Sequence, residues 1–93
     1  MITKTNYQLF LTPYITSYDI NLKAGNYRAI VSKLVSEKNE VHLITTKPDG
    51  QSTQYPLADG KYWELELKDI LSIQIRHVFV EHDVEIHFSL EKL

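Results

Sequence analysis

Val41-His42-Leu43-Ile44-Thr45-Thr46, Pro48-Asp49-Gly50, Gln51-Ser52-Thr53-Gln54-Tyr55, Ala58-Asp59-Gly60 and Tyr62-Trp63-Glu64-Leu65-Glu66-Leu67 follow one another, and their reading decides the fold class. The first run is β-branched and apolar, as strands are. The two Asp-Gly breaks are turn chemistry: aspartate bonds its own backbone and glycine accepts positive φ. In the last run Trp63, Leu65 and Leu67 point one way, and Glu64 and Glu66 the other. A period of two predicts a strand with one face in a core and one in water, with Trp63 inside and Tyr62 outside.

Toward the C-terminus, Lys68-Asp69 reads as another tight turn. Leu71, Ile73 and Ile75 then alternate with Ser72, Gln74 and Arg76. The phase blurs over His77 to Val80, which suggests a bulge. After a turn at Glu81-His82-Asp83, Val84, Ile86, Phe88 and Leu90 alternate with polar residues in the clearest strand of the chain.

Toward the N-terminus, Ser36 to Glu40 is a polar connection. Tyr27 to Val35 reads as a long strand of ambiguous phase, with a helix over Ala29 to Glu37 as the competing reading. Lys23-Ala24-Gly25-Asn26 reads as a turn, because glycine and asparagine adopt positive φ most easily. Tyr14 to Leu22 and Tyr7 to Thr12 are strands, separated at Pro13. Residues 1–13 are either an edge strand or an arm.

Seven or eight strands result, spaced by about ten residues. The chain is expected to be one all-β domain over residues 1–93, an antiparallel β-sandwich with a jelly roll among its forms. An internal echo supports repeated corners: Leu22-x-x-Gly25-x-Tyr27-x-x-Ile30 and Leu57-x-x-Gly60-x-Tyr62-x-x-Leu65.

Composition narrows the function classes. The 93 residues hold ten Lys and Arg, twelve Asp and Glu, and no cysteine, for a formal charge of -2. The basic residues are scattered, so no nucleic-acid partner is expected. Without cysteine, stability must come from packing and sheet hydrogen bonds, which fits a reducing compartment. Tyr7 to Leu11 is too short for a signal-peptide core, and no segment approaches a membrane span, so no membrane partner is expected.

No catalytic constellation stands out. His42, His77, His82 and His87 lack metal-ligand spacing. Glu64 and Glu66 fit a solvated strand face, and Asp49 and Asp59 precede turn glycines. The carboxylates near His82 and His87 leave a pH response open. No serine sits in a nucleophile elbow and no glycine-rich phosphate loop exists. The expectation is a non-enzyme with no cofactor and no metal. The aromatic residues are more informative. Tyr14, Tyr18 and Tyr55 are expected near turns or edges and Tyr62 on the face opposite Trp63, and exposed tyrosine serves interfaces and sugar platforms.

The order of corners resembles that of small β-sandwich accessory proteins of phage virions, which decorate heads, head fibres or tails. The matching elements are Leu22-x-Ala24-Gly25-x-Tyr27, Pro48-Asp49-Gly50, Asp59-Gly60-x-Tyr62, and the alternating runs Leu71 to Arg76 and Val84 to Leu90. The resemblance implies a structural component of a phage particle, assembled in the host cytoplasm. Its partners would be other virion proteins and further copies of itself, with a trimer among the options. A carbohydrate- or surface-binding module that engages cell-surface glycan is the alternative, and a small protein-binding inhibitor the third.

Overall fold

The computed structural model describes residues 4–34, 39–57, 62–80 and 83–93. They form six strands: β1 (Lys4–Leu11), β2 (Ser17–Lys33), β3 (Asn39–Thr46), β4 (Ser52–Leu57), β5 (Tyr62–Val80) and β6 (Val84–Lys92). All pair antiparallel in one open sheet of order β1-β6-β2-β5-β3-β4.

Six strands replace the expected seven or eight, for a specific reason. Two breaks that read as turns do not reverse the chain. Lys23 to Asn26 lies inside β2, and Lys68-Asp69 lies inside β5. The two breaks face each other, since Gly25 pairs with Ile70 and register shifts flank that pair. Leu22, Lys23 and Ala24 oppose Leu71 alone, and Lys68 and Asp69 oppose Asn26. Extra residues on one strand bend it and increase its twist. The Asp69 N–H donates to Asn26 Oδ1 at 2.9 Å, which ties the two bulges together. Asp69 takes φ 53°, whereas Gly25 does not have positive φ, so glycine is not the corner-maker the sequence suggested. Gly60, the other glycine of the echo, lies outside the described residues.

Pairing follows one simple scheme. β1 with β6, the two halves of β2 with those of β5, and β3 with β4 are partners at nearly equal chain distances from Pro48-Asp49-Gly50. The chain is therefore a long two-stranded ribbon reversed at that turn. Two further pairings roll it up: β6 with the C-terminal half of β2, and β3 with the C-terminal half of β5.

The rolled ribbon has two leaves. One runs β1, β6, β2 from Tyr27, and β5 to Leu67. The other runs β2 to Leu22, β5 from Ser72, β3 and β4. A straight strand of 19 residues would span about 60 Å. The longest dimension of the molecule is 37 Å, so β5 must bend. The ends of the leaves meet: Lys33 Nζ of the first donates to the Leu57 carbonyl of the second at 3.5 Å.

One core cluster draws on both leaves. Leu9, Leu11, Tyr27, Ala29, Val31, Leu67, Val84, Ile86, Phe88 and Leu90 come from the first, and Val41, Leu43, Leu57, Ile73 and Ile75 from the second, with Ile70 in the bend. The ambiguous phase of Tyr27 to Val35 is resolved as strand through Lys33, with Tyr27, Ala29 and Val31 inward and Ile30 half-buried outside. Lys4–Leu11 pairs with β6 at one edge of the sheet. Trp63 faces inward as alternation predicts, but β5 is an edge there and leaves it half-buried.

Candidate interaction surfaces

The four tyrosines do not share one surface. Tyr18 and Tyr55 close opposite ends of an inward row, Tyr18-Ile75-Leu43-Tyr55, across the second leaf. Both are half-buried and pack on the core. The Tyr18 hydroxyl donates to the Phe10 carbonyl at 3.0 Å, which ties β2 to the end of β1. Tyr14, in the β1–β2 connection, is 95% exposed, and Tyr62, at the start of β5, is 65% exposed.

Tyr14 belongs to an apolar end of the molecule. Phe10, Ile15, Leu34 and Val78 are also exposed. Phe10 pairs with Glu85, whose carbonyl accepts the Leu34 N–H at 3.1 Å. The Thr16 carbonyl accepts the His77 N–H at 2.7 Å, and this register carries Ile15 to the side of Val78. The Thr12 hydroxyl accepts the N–H groups of Tyr14 and Ile15, which holds the connection in shape. These five are among the large apolar side chains that the fold leaves in water.

The outward face of the first leaf is organised in rows. Lys4-Glu91-Arg28-Glu66 crosses all four strands, as do Asn6-Ser89-Ile30-Glu64 and Gln8-His87-Ser32-Tyr62. The first row alternates in charge from one edge to the other. Arg28 lies 3.6 Å from Glu64 and 3.8 Å from Glu66. Small residues in the middle of the other rows leave a shallow open depression of about 470 Å³ over Ile30, lined by Asn6, Gln8, Ser32, His87 and Ser89. His87 bonds the Glu85 carboxylate beside it.

Lys33, Thr45 and His77 are the buried polar residues among those described, and Lys33 lies where the leaf ends meet. Neither ring nitrogen of His77 has a hydrogen-bond partner among the described residues. Burial holds its pKa below the usual 6.5, opposed by the Thr12 carbonyl, reinforced by the charge of Lys33 and opposed by Asp83. Among the described residues no three His, Asp or Glu side chains converge as a metal site. His82 lies outside the described residues.

Alternation gave the outward residues of Tyr62 to Leu67, Leu71 to Arg76 and Val84 to Glu91. It could not find the charge row or the burial of Lys33 and His77, which depend on which strands are neighbours. Alternation gives the face, and only pairing gives the row.

No family model matches the chain, and no curated protein matches it by sequence. Solved structures share its fold. The SPBc2 prophage-derived protein YomS superposes with a TM-score of 0.71 at 14% identity, covering 99% of this chain and 96% of that one. A protein of the Bacillus endospore appendages, described as disulfide-linked pili, gives 0.66 at 13% identity, covering 98% and 87%. The Drosophila NLP core, described for pentamer formation and histone binding, gives 0.66 at 19% identity, covering 91% and 96%. At these identities the chain is similar to all three in fold.

Proposed function

We propose that this chain is a non-enzymatic structural component of a phage particle, attached to the shell or tail by a sheet face or edge strand. The observation that carries this is the correspondence with a prophage-derived protein along nearly the whole of both chains. The exposed apolar end at Phe10, Tyr14, Ile15, Leu34 and Val78 supports attachment to another protein. The pilus and pentamer neighbours support self-association, because the same fold builds multimers in both. Counting β2 and β5 as two segments each gives eight, in two leaves of four with the nested pairing of a rolled ribbon, which supports the jelly-roll sandwich reading.

The test is direct. Particles from cultures of the host that encodes this chain are purified and their proteins measured by quantitative mass spectrometry. A fixed copy number per particle is expected, and a Tyr14→Ala, Val78→Ser variant should lower it. Recovery of the chain only in the soluble lysate would overturn the reading.

A glycan-binding module is the second reading. The depression over Ile30 favours it, with amide and hydroxyl side chains lining it and Tyr62 paired in register with Ser32, one of the lining residues. Sugar pockets combine an apolar platform with a few placed polar groups. Binding on a glycan array that Tyr62→Ala abolishes would favour this reading over the first.

A further inference from the structure

The first leaf ends in two unlike edges, β1 on one side and the Tyr62–Leu67 half of β5 on the other. Among the described residues neither is paired on its outer side. Natural edge strands are blunted by charged side chains, proline, bulges or inward charges, and a charge on an edge repels a like edge but admits an opposite one. β4, an edge of the second leaf, carries Pro56. The two edges of the first leaf carry no proline and no inward charge.

They are also complementary. The row Lys4-Glu91-Arg28-Glu66 reads plus, minus, plus, minus. It ends with a positive charge at the β1 edge and a negative one at the β5 edge. The inward row Tyr7-Phe88-Val31-Trp63 ends in a half-buried aromatic on each side, while Phe88 and Val31 between them are fully buried. Trp63 Nε1 is buried without a hydrogen-bond partner among the described residues.

We propose that β1 of one copy pairs antiparallel with the Tyr62–Leu67 edge of the next, setting Lys4 opposite Glu66, Asn6 opposite Glu64 and Tyr7 opposite Trp63. In the first leaf β1 and this half of β5 run in opposite directions, because the strands between them alternate. A neighbour turned about an axis along the strands therefore presents β1 antiparallel to β5. The register keeps inward residues opposite inward residues, which a one-residue slip would destroy. It also continues the backbone alternation, because Lys4 and Glu66 belong to one row. A two-fold β5–β5 pairing is disfavoured: it sets Glu64 against Glu66 or against itself, and like charges directly opposite destabilise. The contact is head-to-tail, so it builds a ring if the rotation closes and a filament if it does not.

This inference rests on the reading of the chain as a self-associating particle component, and the experiments separate the two. The chain has no cysteine, so cysteines can be placed without background. With Asn6→Cys and Glu64→Cys together, mild oxidation of the purified protein should give a ladder of covalent oligomers beyond the dimer on a non-reducing gel. Neither single variant should pass the dimer. In light scattering, Lys4→Glu and Glu66→Lys should each weaken self-association by about tenfold, and the two together should restore it.

An oligomer whose mass neither charge variant changes, with no ladder from the cysteine pair, overturns edge pairing and keeps self-association. A monomer at every concentration and no ladder, with the chain still present in purified particles, overturns edge pairing and keeps the particle reading. Absence from particles overturns the particle reading, and a ladder obtained in that case still supports the edge contact.

Discussion

Two places in this chain carry nearly the same residue types and behave differently. At Pro48-Asp49-Gly50 the chain reverses. At Gly25-Asn26 and Lys68-Asp69 it bends and continues. The reversal is closed by local bonds: Gly50 N–H to the Lys47 carbonyl at 2.9 Å, Lys47 N–H to the Gln51 carbonyl at 2.8 Å, and Gln51 N–H to Asp49 Oδ1 at 2.9 Å. Every residue from Lys47 to Gln51 is exposed. The bend is closed by a distant bond, Asp69 N–H to Asn26 Oδ1, across 43 positions of sequence. Its centre is a core residue, Ile70, at 2% exposure. A turn that needs only its own residues can be read locally, whereas a bend held by two strands at once cannot.

The largest effect should therefore separate the two places by packing. Ile70→Ala removes a fully buried side chain from the inside of the bend, and a loss of about 3 kcal/mol is expected. No substitution between Lys47 and Gln51 can remove buried apolar area of that size. Urea denaturation measures both. A loss below about 1 kcal/mol at Ile70 would mean that the leaves are not folded around it.

The bend also has a remote consequence. Because the ribbon folds over, His77 of the second leaf is buried against the end of the first, near Lys33, with the Thr12 carbonyl and Asp83 close by. Burial lowers its pKa in the fold below the unfolded value of 6.5. The unfolded chain then binds more protons between the two values, so stability is full above pH 6.5 and declines as pH falls toward the folded pKa. The slope is at most about 1.4 kcal/mol per pH unit from one such group. Urea midpoints measured from pH 7.5 to 5.5 should show this decline, and His77→Gln should flatten it. An unchanged slope in the variant would place the pH dependence elsewhere and leave His77 solvated, as it would be in an unfolded-over sheet.

How much of this was legible follows from the same contrast. Period-two alternation at Trp63-Leu65-Leu67 and at Val84-Ile86-Phe88-Leu90 gave the strands and their inward faces. Pro48-Asp49-Gly50 gave the reversal, since its partners are its own neighbours. The seven-or-eight count went astray only where Gly25-Asn26 and Lys68-Asp69 were taken as reversals. Those residues permit a break in alternation, and the facing strand decides whether the break is a turn or a bulge. The interface tyrosines were named by type. Alternation placed Tyr62 toward water, but naming by type did not mark Tyr18 and Tyr55 as half-buried residues that pack on the core. The charge row from Lys4 to Glu66 joins residues from four strands, and no local pattern links them.

The smallest effect is a difference of sign between two glycines. Gly50 has φ +93° and open space around the position of an added Cβ. Gly50→Ala should therefore cost about 1 kcal/mol through backbone strain alone. Gly25 has no positive φ, and an added Cβ would sit 3.8 Å from Lys92 Cε and 3.9 Å from the Lys23 carbonyl, which is ordinary contact. A glycine within a strand costs conformational entropy on folding, so Gly25→Ala should stabilise by about 0.5 kcal/mol. The two variants, measured side by side in urea, test whether the break at Gly25 is a bulge. A loss of about 1 kcal/mol at both positions would mean that Gly25 works as a left-handed turn residue, and that the bend at Ile70 is built as the reversal at Pro48-Gly50 is. A gain at Gly25 against a loss at Gly50 would show that glycine is needed for its freedom of φ in the turn and is not needed in the bend, where the bulge carries the change of direction.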